Sequence, residues 1–246
     1  MSASMDVVIS AVSHRFGSTT ALSEVDVTIR GGTITGLVGR NGAGKTTLAS
    51  LIAAWQPLRT GSITLGGQSV WENGGRSSRV ALMKESGGLL DDQRIKHSLR
   101  VHRAARPNWD DAYAERLLDL FEVPVKKTPL KLSTGKRSAL RASIALASRA
   151  EVTILDEVYL GMDAVARRLF YDELMADYIA HPRTIVLSSH LLDEVEDLME
   201  DVVILDRGRV VAAGETDAVR QRHSSGSSLA SLTDVLVQLS TAGADR

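Results

Sequence analysis

The sequence has no cysteine, which removes disulfides, thiolate zinc sites and cysteine nucleophiles together. It has no surplus of charge either. The formal net charge is −1, so no overall basic field draws the chain to nucleic acid or anionic lipid. Long hydrophobic runs are missing, since no stretch approaches the ~20 apolar residues that cross a bilayer. The opening residues Met1–Asp6 lack a basic segment followed by an apolar one, so no signal peptide is expected. No internal repeat is visible. What remains is 246 residues with 43% apolar content, enough to bury a sizeable core as one large domain, whole or subdivided. A soluble, cytoplasmic chain is expected, with any membrane role exercised through a partner.

The run Gly39-Arg40-Asn41-Gly42-Ala43-Gly44-Lys45-Thr46 matches G-x-x-x-x-G-K-[ST] at every defined position. Its three glycines let the backbone curl so that N–H groups converge on phosphate oxygens. Lys45 adds a full positive charge near the β- and γ-phosphates, and the Thr46 hydroxyl can hold Mg²⁺. The helix that follows, beginning with Thr46 and Thr47, turns its positive end toward the same spot. A nucleoside triphosphate is the expected ligand.

The surroundings suit that loop. Thr33–Val38 reads as a strand running into it and Thr46–Ala54 as the helix leaving it. Val7–Ser10, Val25–Ile29, Gly61–Leu65 and Arg79–Met83 read as further strands, with a polar loop around Glu72–Ser78. From about Leu90 to Leu130 the texture turns helical. Ile95–Ala105 is one helix, and Trp109–Phe121 another that sets Trp109, Tyr113, Leu117, Leu120 and Phe121 near one face. Trp55, Trp109 and Phe121 read as packing residues. A helix over Lys136–Ser148, the strand Val152–Leu155, the helix Ala164–Tyr178, the strand Thr184–Leu187, the helix Leu191–Met199 and a last buried strand Val202–Leu205 follow. Strands alternating with helices imply an α/β fold with a largely parallel sheet. Ser224–Ser228 is a spacer before a short apolar helix, Leu229–Leu239.

The strand Val152–Leu155 ends on Asp156 and Glu157. Two readings compete for this pair. Alone it would be two solvated acids at a strand end. With a phosphate loop upstream, Asp156 holds Mg²⁺, directly or through water, and Glu157 orients or deprotonates the water that attacks the γ-phosphate.

Between loop and carboxylates lies Leu132-Ser133-Thr134-Gly135-Lys136. The order Gly39–Thr46, Leu132–Lys136, Leu155-Asp156-Glu157, Gly161-Met162-Asp163 and Ser188-Ser189-His190 resembles the ATPase subunits of ABC transporters, over about Val7 to Gly214. The resemblance implies a P-loop NTPase fold with a mainly parallel core sheet, an antiparallel β subdomain and an inserted helical subdomain. It implies an ATPase domain over 1–222, with the helical part at about 90–137, and a Ser-rich linker and C-terminal helix over 223–246. It also implies a head-to-tail dimer, homomeric or heteromeric, that traps ATP between the loop of one subunit and Ser133 and Gly135 of the other. Asp163 would join the two sites, and His190 would contact the γ-phosphate. Phe16 falls where the family stacks an aromatic on adenine, the alternative being a core phenylalanine. The partners implied are a transmembrane permease subunit, met by the helical segment, and a second ATPase subunit, with no nucleic acid. The chain would lie on the inner face of the plasma membrane through its permease.

Three departures from the family stand out. The signature usually reads LSGGQ, and this chain carries Thr134 and Lys136. The proline after the catalytic glutamate is Val158. The glutamine that touches Mg²⁺ in the family is Glu85, which adds a negative charge beside the triphosphate and implies altered metal dependence or slower turnover. The segments Tyr159–Ala164, Phe170–Leu174 and His181–Thr184 resemble small bacterial exporter ATPases of the peptide-antibiotic resistance type. A soluble ABC ATPase, for instance in cofactor assembly, and a nucleotide switch with little hydrolysis are the competing functions. A small-molecule kinase would leave the signature segment without a role.

Overall fold

A computed structural model describes residues 5–224 and 228–242. They fall into two compact units, Met1–Ser77 with Thr184–Arg246, and Ser78–Arg183.

The first unit opens on β1 (Val7–Phe16) and β2 (Thr19–Ile29), both longer than the sequence suggested. They pair antiparallel with register shifts around Val12 and His14, and Ala11 and Glu24 have positive φ there. These bulges interrupt the alternation of apolar and polar residues, which hid most of both strands. β3 (Ile34–Val38) is buried throughout, and α1 (Lys45–Ile52) follows the glycine loop. β4 (Thr60–Leu65) joins the far edge of β1 and β5 (Gln68–Ser69) pairs with β4, so one antiparallel sheet runs β2-β1-β4-β5. A short helix, α2 (Gly74–Ser77), interrupts the expected loop at 72–78.

The second unit begins with β6 (Val80–Lys84). Three helices follow: α3 (Ile95–Ala105), α4 (Asp111–Leu120) and α5 (Thr134–Ala147). β7 (Val152–Asp156) lies parallel to β6 with Lys84 opposite Asp156, and α6 (Ala164–Ala180) closes the unit. Asp110 caps α4, its carboxylate accepting from the Tyr113 N–H at 2.9 Å. The inward face of α4 is Tyr113, Ala114, Leu117 and Leu118, with Phe121 buried just beyond it. Leu120 is exposed and Trp109 half-buried, its indole donating to Asp111, which corrects the face read from the sequence.

The polar centre of this unit is Asp177 on α6, whose side chain is 2% exposed. It accepts from Arg183 at 2.6 Å and from Arg149. Arg149 also reaches Asp110 at 3.3 Å and lies 4.3 Å over the Tyr113 ring. Burial pulls the Arg183 guanidinium down to about 10, so the carboxylate it faces is what keeps that cation tolerable in the interior.

The first unit then resumes with β8 (Thr184–Ser188), α7 (Leu192–Val195), β9 (Asp201–Asp206), β10 (Arg209–Glu215), α8 (Thr216–Arg222) and α9 (Leu232–Ala242). β3 lies between β8 and β9 and parallel to both. β10 is antiparallel to β9, so the strand read as the last is followed by another. Arg207 and Gly208 both have positive φ, the signature of a two-residue hairpin turn. The stretch 191–199 is not one helix. Its α-helical part stops at Val195 and a 3₁₀ turn, Glu196–Leu198, follows. Glu196 is drawn to Arg220 at 3.6 Å and to the Leu232 N–H at 2.8 Å, and the tighter turn delivers Met199 into the core. Of the serine spacer, residues 225–227 lie outside the described residues. The C-terminal helix starts three residues later than expected, and it buries Leu232 and Val235 against its own unit. Trp55 is 41% exposed and is not a packing residue. Among the described residues no helix is long and apolar enough to cross a membrane.

Candidate functional site

In the first unit the strand β3 feeds the loop directly. Gly44 sits at φ 105, and a Cβ there would meet the Ala21 carbonyl and the Leu22 side chain at 2.7 Å. Only glycine lets α1 start at that point. Lys45 is buried, and its Nζ donates to the Gly39 carbonyl at 2.7 Å and the Arg40 carbonyl at 3.3 Å. The ammonium is thus folded back over the loop. A cleft of about 460 Å³ is lined by Arg40, Asn41, Gly42 and Ala43, together with Asp206 and Arg207. Asp206 and Arg207 were not legible as site residues. They arrive there because β9 runs parallel to β3, with Ile204 opposite Val38, so the two strands end together.

Phe16 and His190 belong to the same unit. Phe16 is 51% exposed and its ring meets His14 edge-on at 4.7 Å between centroids. The core alternative for this phenylalanine is therefore excluded, and one aromatic face is available to a ligand. His190 is exposed just past the end of β8, and the neighbouring Ser189 hydroxyl accepts from the Leu191 N–H at 3.0 Å.

The second unit carries the carboxylates and the signature. Asp156 ends β7 at 4% exposure, and its Oδ1 is buried with no hydrogen-bond partner. A buried carboxylate oxygen left without a donor fits a hydrated cation, whose water would supply one. Glu157 follows at φ 53, a left-handed conformation uncommon outside glycine and asparagine. Glu85 stands immediately beside the pair, its N–H donating to the Asp156 carbonyl at 3.0 Å. Parallel pairing of β6 and β7 thus brings Glu85, Asp156 and Glu157 together, residues more than seventy apart in sequence.

Ser133 and Asp163 each cap a helix. The Ser133 hydroxyl accepts from the Lys136 N–H at 3.3 Å at the start of α5, and Asp163 accepts from the Ala166 N–H at 2.8 Å at the start of α6. Both border a cleft of about 480 Å³ that Gly135, Lys136, Leu120 and Val165 also line. Lys136 does not project freely. Its Nζ donates to the Phe121 carbonyl at 2.7 Å and to Glu122 at 3.1 Å, a cation at the C-terminal end of α4. Thr134 turns its methyl group toward Gly161. Gly135 is held tightly, because a Cβ would lie 2.7 Å from the Gly161 carbonyl oxygen. Gly135→Ala is expected to cost ~1–3 kcal/mol through this backbone clash. Urea denaturation of the variant checks it, and native-like stability would show that the 161 segment yields freely.

Residues 22–159 match the family described as ABC transporter. The chain belongs to that family. It is an ATP-binding subunit of the ABC ATPase class, with the P-loop fold and the mixed sheet that the class carries. Among curated relatives, the ABC transporter ATP-binding protein YtrB of Bacillus subtilis (strain 168) is 30% identical over 203 residues, which cover 82% of this chain and 69% of that protein. The daunorubicin resistance ATP-binding protein DrrA3 of Streptomyces coeruleorubidus is 29% identical, over 87% of this chain and 69% of the relative. The sulfate/thiosulfate import ATP-binding protein CysA of Ralstonia nicotianae is 30% identical, over 87% and 60%. A solved ATP-binding subunit of an ABC transporter superposes with a TM-score of 0.81 at 25% identity, covering 95% of this chain and 98% of the other. A bacterial Atm1-family exporter with ATP bound shares the fold, with a TM-score of 0.76 at 19% identity over 90% of this chain and 40% of that one.

Proposed function

We propose that this ABC subunit hydrolyses ATP to drive an exporter whose membrane-spanning part is a separate chain, and that it works at the inner face of the plasma membrane through that partner. The observation that carries the reading is the folded-over Lys45, which holds its charge against the loop carbonyls of Gly39 and Arg40 where phosphates would replace them. In this reading the loop from Gly39 to Thr47 takes the triphosphate, and Phe16 offers its exposed face to adenine. Thr46, Asp156 and Glu85 are the candidate holders of Mg²⁺, which when bound neutralises phosphate charge. Glu157 orients the attacking water and accepts its proton, while His190 fixes the γ-phosphate geometry. Ser133 and Gly135 receive the phosphate of a second subunit in a head-to-tail dimer, at a helix start suited to anions. Asp163 joins the two sites, and the helical part at about 90–137 meets the permease.

Lys45→Ala is expected to weaken ATP binding at least about tenfold, since a charge-assisted contact to phosphate is lost. Calorimetric titration with ATP measures this, and an unchanged affinity would sink the loop assignment. Export is favoured by Tyr159–Ala164 and Phe170–Leu174, and relatives named for daunorubicin resistance and Nod factor export match at 29% and 30% identity. Import proteins match at similar identity, so direction is decided by co-purifying the membrane partner and testing it in vesicles. A chain that purifies with no membrane partner and still turns over ATP would favour a soluble ABC ATPase.

A further inference from the structure

Phe16 owes its place to the strand that carries it. Plain alternation along β1 would set Val12, His14 and Phe16 on one face. The pairing with β2 instead shifts register between Val12 and His14 and again between His14 and Arg15. Irregularities of this kind re-aim side chains. His14 ends at 8% exposure and Phe16 at 51%, with the two rings edge-on at 4.7 Å between centroids and 71° between planes. The hairpin around them is pinned. Arg15 donates from Nη2 to the Ser18 carbonyl at 2.7 Å across the turn, and the Glu24 N–H donates to the Ser13 hydroxyl at 2.9 Å across the strands. β2 is in turn fixed to the phosphate loop. Leu22, the residue opposite His14, leaves no room for a Cβ at Gly44. The Gly208 N–H donates to the Ala43 carbonyl at 3.0 Å, while the Gly208 carbonyl accepts from the Ser23 N–H at 2.9 Å. The loop is thus linked through the Leu22–His14 pair to Phe16, all within the first unit.

We propose that His14 is a positioning residue for the Phe16 ring. It holds that ring in one orientation, at a place fixed relative to the phosphate loop, so that base and triphosphate are received at a set separation. The inference rests on the adenine reading of Phe16 given above. An exposed phenylalanine at a hairpin end has rotamer freedom that a stacked base must remove, and ordering it at the moment of binding lowers affinity. A neighbouring ring that already restricts it removes part of that loss. Edge-on packing suits the task, because it is directional and covers at most one face of Phe16. His14 touches no substrate in this account and acts through Phe16 alone.

The test is a double-variant cycle on the full chain with His14→Ala, Phe16→Ala and the two combined. Calorimetry reads the affinity for ATP and for inorganic tripolyphosphate, which carries the phosphates but no base. EDTA is present throughout, so that no metal enters the readout and the residues tested all belong to the first unit. Phe16→Ala is expected to weaken ATP about tenfold. His14→Ala should weaken ATP about threefold with Phe16 in place and less than about 1.5-fold with alanine at 16, leaving tripolyphosphate within about 1.5-fold. Equal losses for ATP and tripolyphosphate, an equal loss of ATP affinity in both backgrounds, or no loss at all would each overturn the proposal. If His14→Ala does not fold, His14→Leu fills the space without a ring and carries the same expectations. His14→Phe restores a ring and should return ATP affinity to near native, whereas a loss as large as that of alanine rejects the ring contact. Undiminished ATP affinity in Phe16→Ala refutes the adenine reading and the proposal with it. No ATP binding by the native chain would instead refute the nucleotide reading on which both stand.

Discussion

Glu157→Gln slows phosphate release at least about a hundredfold while ATP still binds. The glutamine keeps the size of the glutamate but loses its charge and its ability to take a proton from water. In the proposed function ATP is bound by the loop from Gly39 to Thr47, which the substitution leaves unchanged. The variant should therefore fill with ATP and stop, and in the proposed dimer it should accumulate as the closed form, since a ligand bound only by the closed state stabilises it. Phosphate release and size exclusion with ATP and Mg²⁺ measure both consequences. Turnover within tenfold of native would mean that another group serves as the base, and a variant that stays monomeric with ATP bound would count against the head-to-tail arrangement. The left-handed backbone at Glu157 (φ 53) adds a second test. A glycine there should relieve strain, so loss of activity in Glu157→Gly with unchanged or raised stability separates the carboxylate's chemistry from its fold role.

Asp177→Asn lowers stability by about 3–5 kcal/mol. The side chain is 2% exposed and faces Arg183, itself 6% exposed, and Arg149, at 13%. Asparagine keeps the shape but removes the charge that two buried guanidiniums need, and burial has already drawn Arg183 down to about 10. Breaking one side of a buried pair costs far more than replacing the whole pair with apolar groups, because the remaining cation keeps its desolvation penalty. The companion variant follows from that asymmetry. Asp177→Leu combined with Arg183→Met should recover part of the loss, with an interaction energy of about 0.5–3 kcal/mol in the cycle. Guanidinium denaturation followed by fluorescence in a Trp55→Phe, Trp71→Phe background, which leaves Trp109 as the fluorophore, reports the second unit. A loss under about 1 kcal/mol for Asp177→Asn would show that water reaches the guanidiniums.

The two predictions differ in where their warrant comes from. Glu157 was proposed from the chain, as the second acid after an apolar strand downstream of a phosphate loop, and the structure places it just past the end of β7. Asp177 was not. It sits in the last turn of α6, a helix whose pattern gives no sign of burial there, and its partners come from the start of a loop before β7 and from the residue before β8. Arg141 is the same case: an arginine on an otherwise apolar helix face looks like a solvated end until the loop from β6 is laid against it. Lys136 and Thr134 were read as departures from a motif. The structure gives Lys136 a definite occupation at the end of α4.

The missed elements have physical reasons of the same kind. β10 carries no fully buried residue, so an edge strand gave no apolar run to detect. Its one local signal was Arg207-Gly208, a turn dipeptide between two apolar stretches. β1 and β2 were shortened by bulges, which change the period that reveals a strand. The segment 191–199 has helical spacing of its apolar residues, but contacts of Glu196 with Arg220 and the Leu232 N–H and the placement of Met199 and Glu200 decide the outcome. Glu200 bridges to β3, accepting from the Ile34 N–H at 3.2 Å and donating its own N–H to the Ile34 carbonyl at 2.9 Å.

By itself the sequence determined the α/β class, the phosphate loop with its entering strand and leaving helix, the Asp156–Glu157 strand end and the ABC family. Each of these is written in contiguous residues whose spacing and chemistry act locally. Only the tertiary structure decided that Glu85 lies beside Asp156, that Asp206 and Arg207 border the loop, that Phe16 is exposed, and that Arg141 and Asp177 are buried charges with partners. Those facts depend on which strands run side by side and which helix faces cover them, and pairing across long stretches of chain leaves no periodic mark in the sequence.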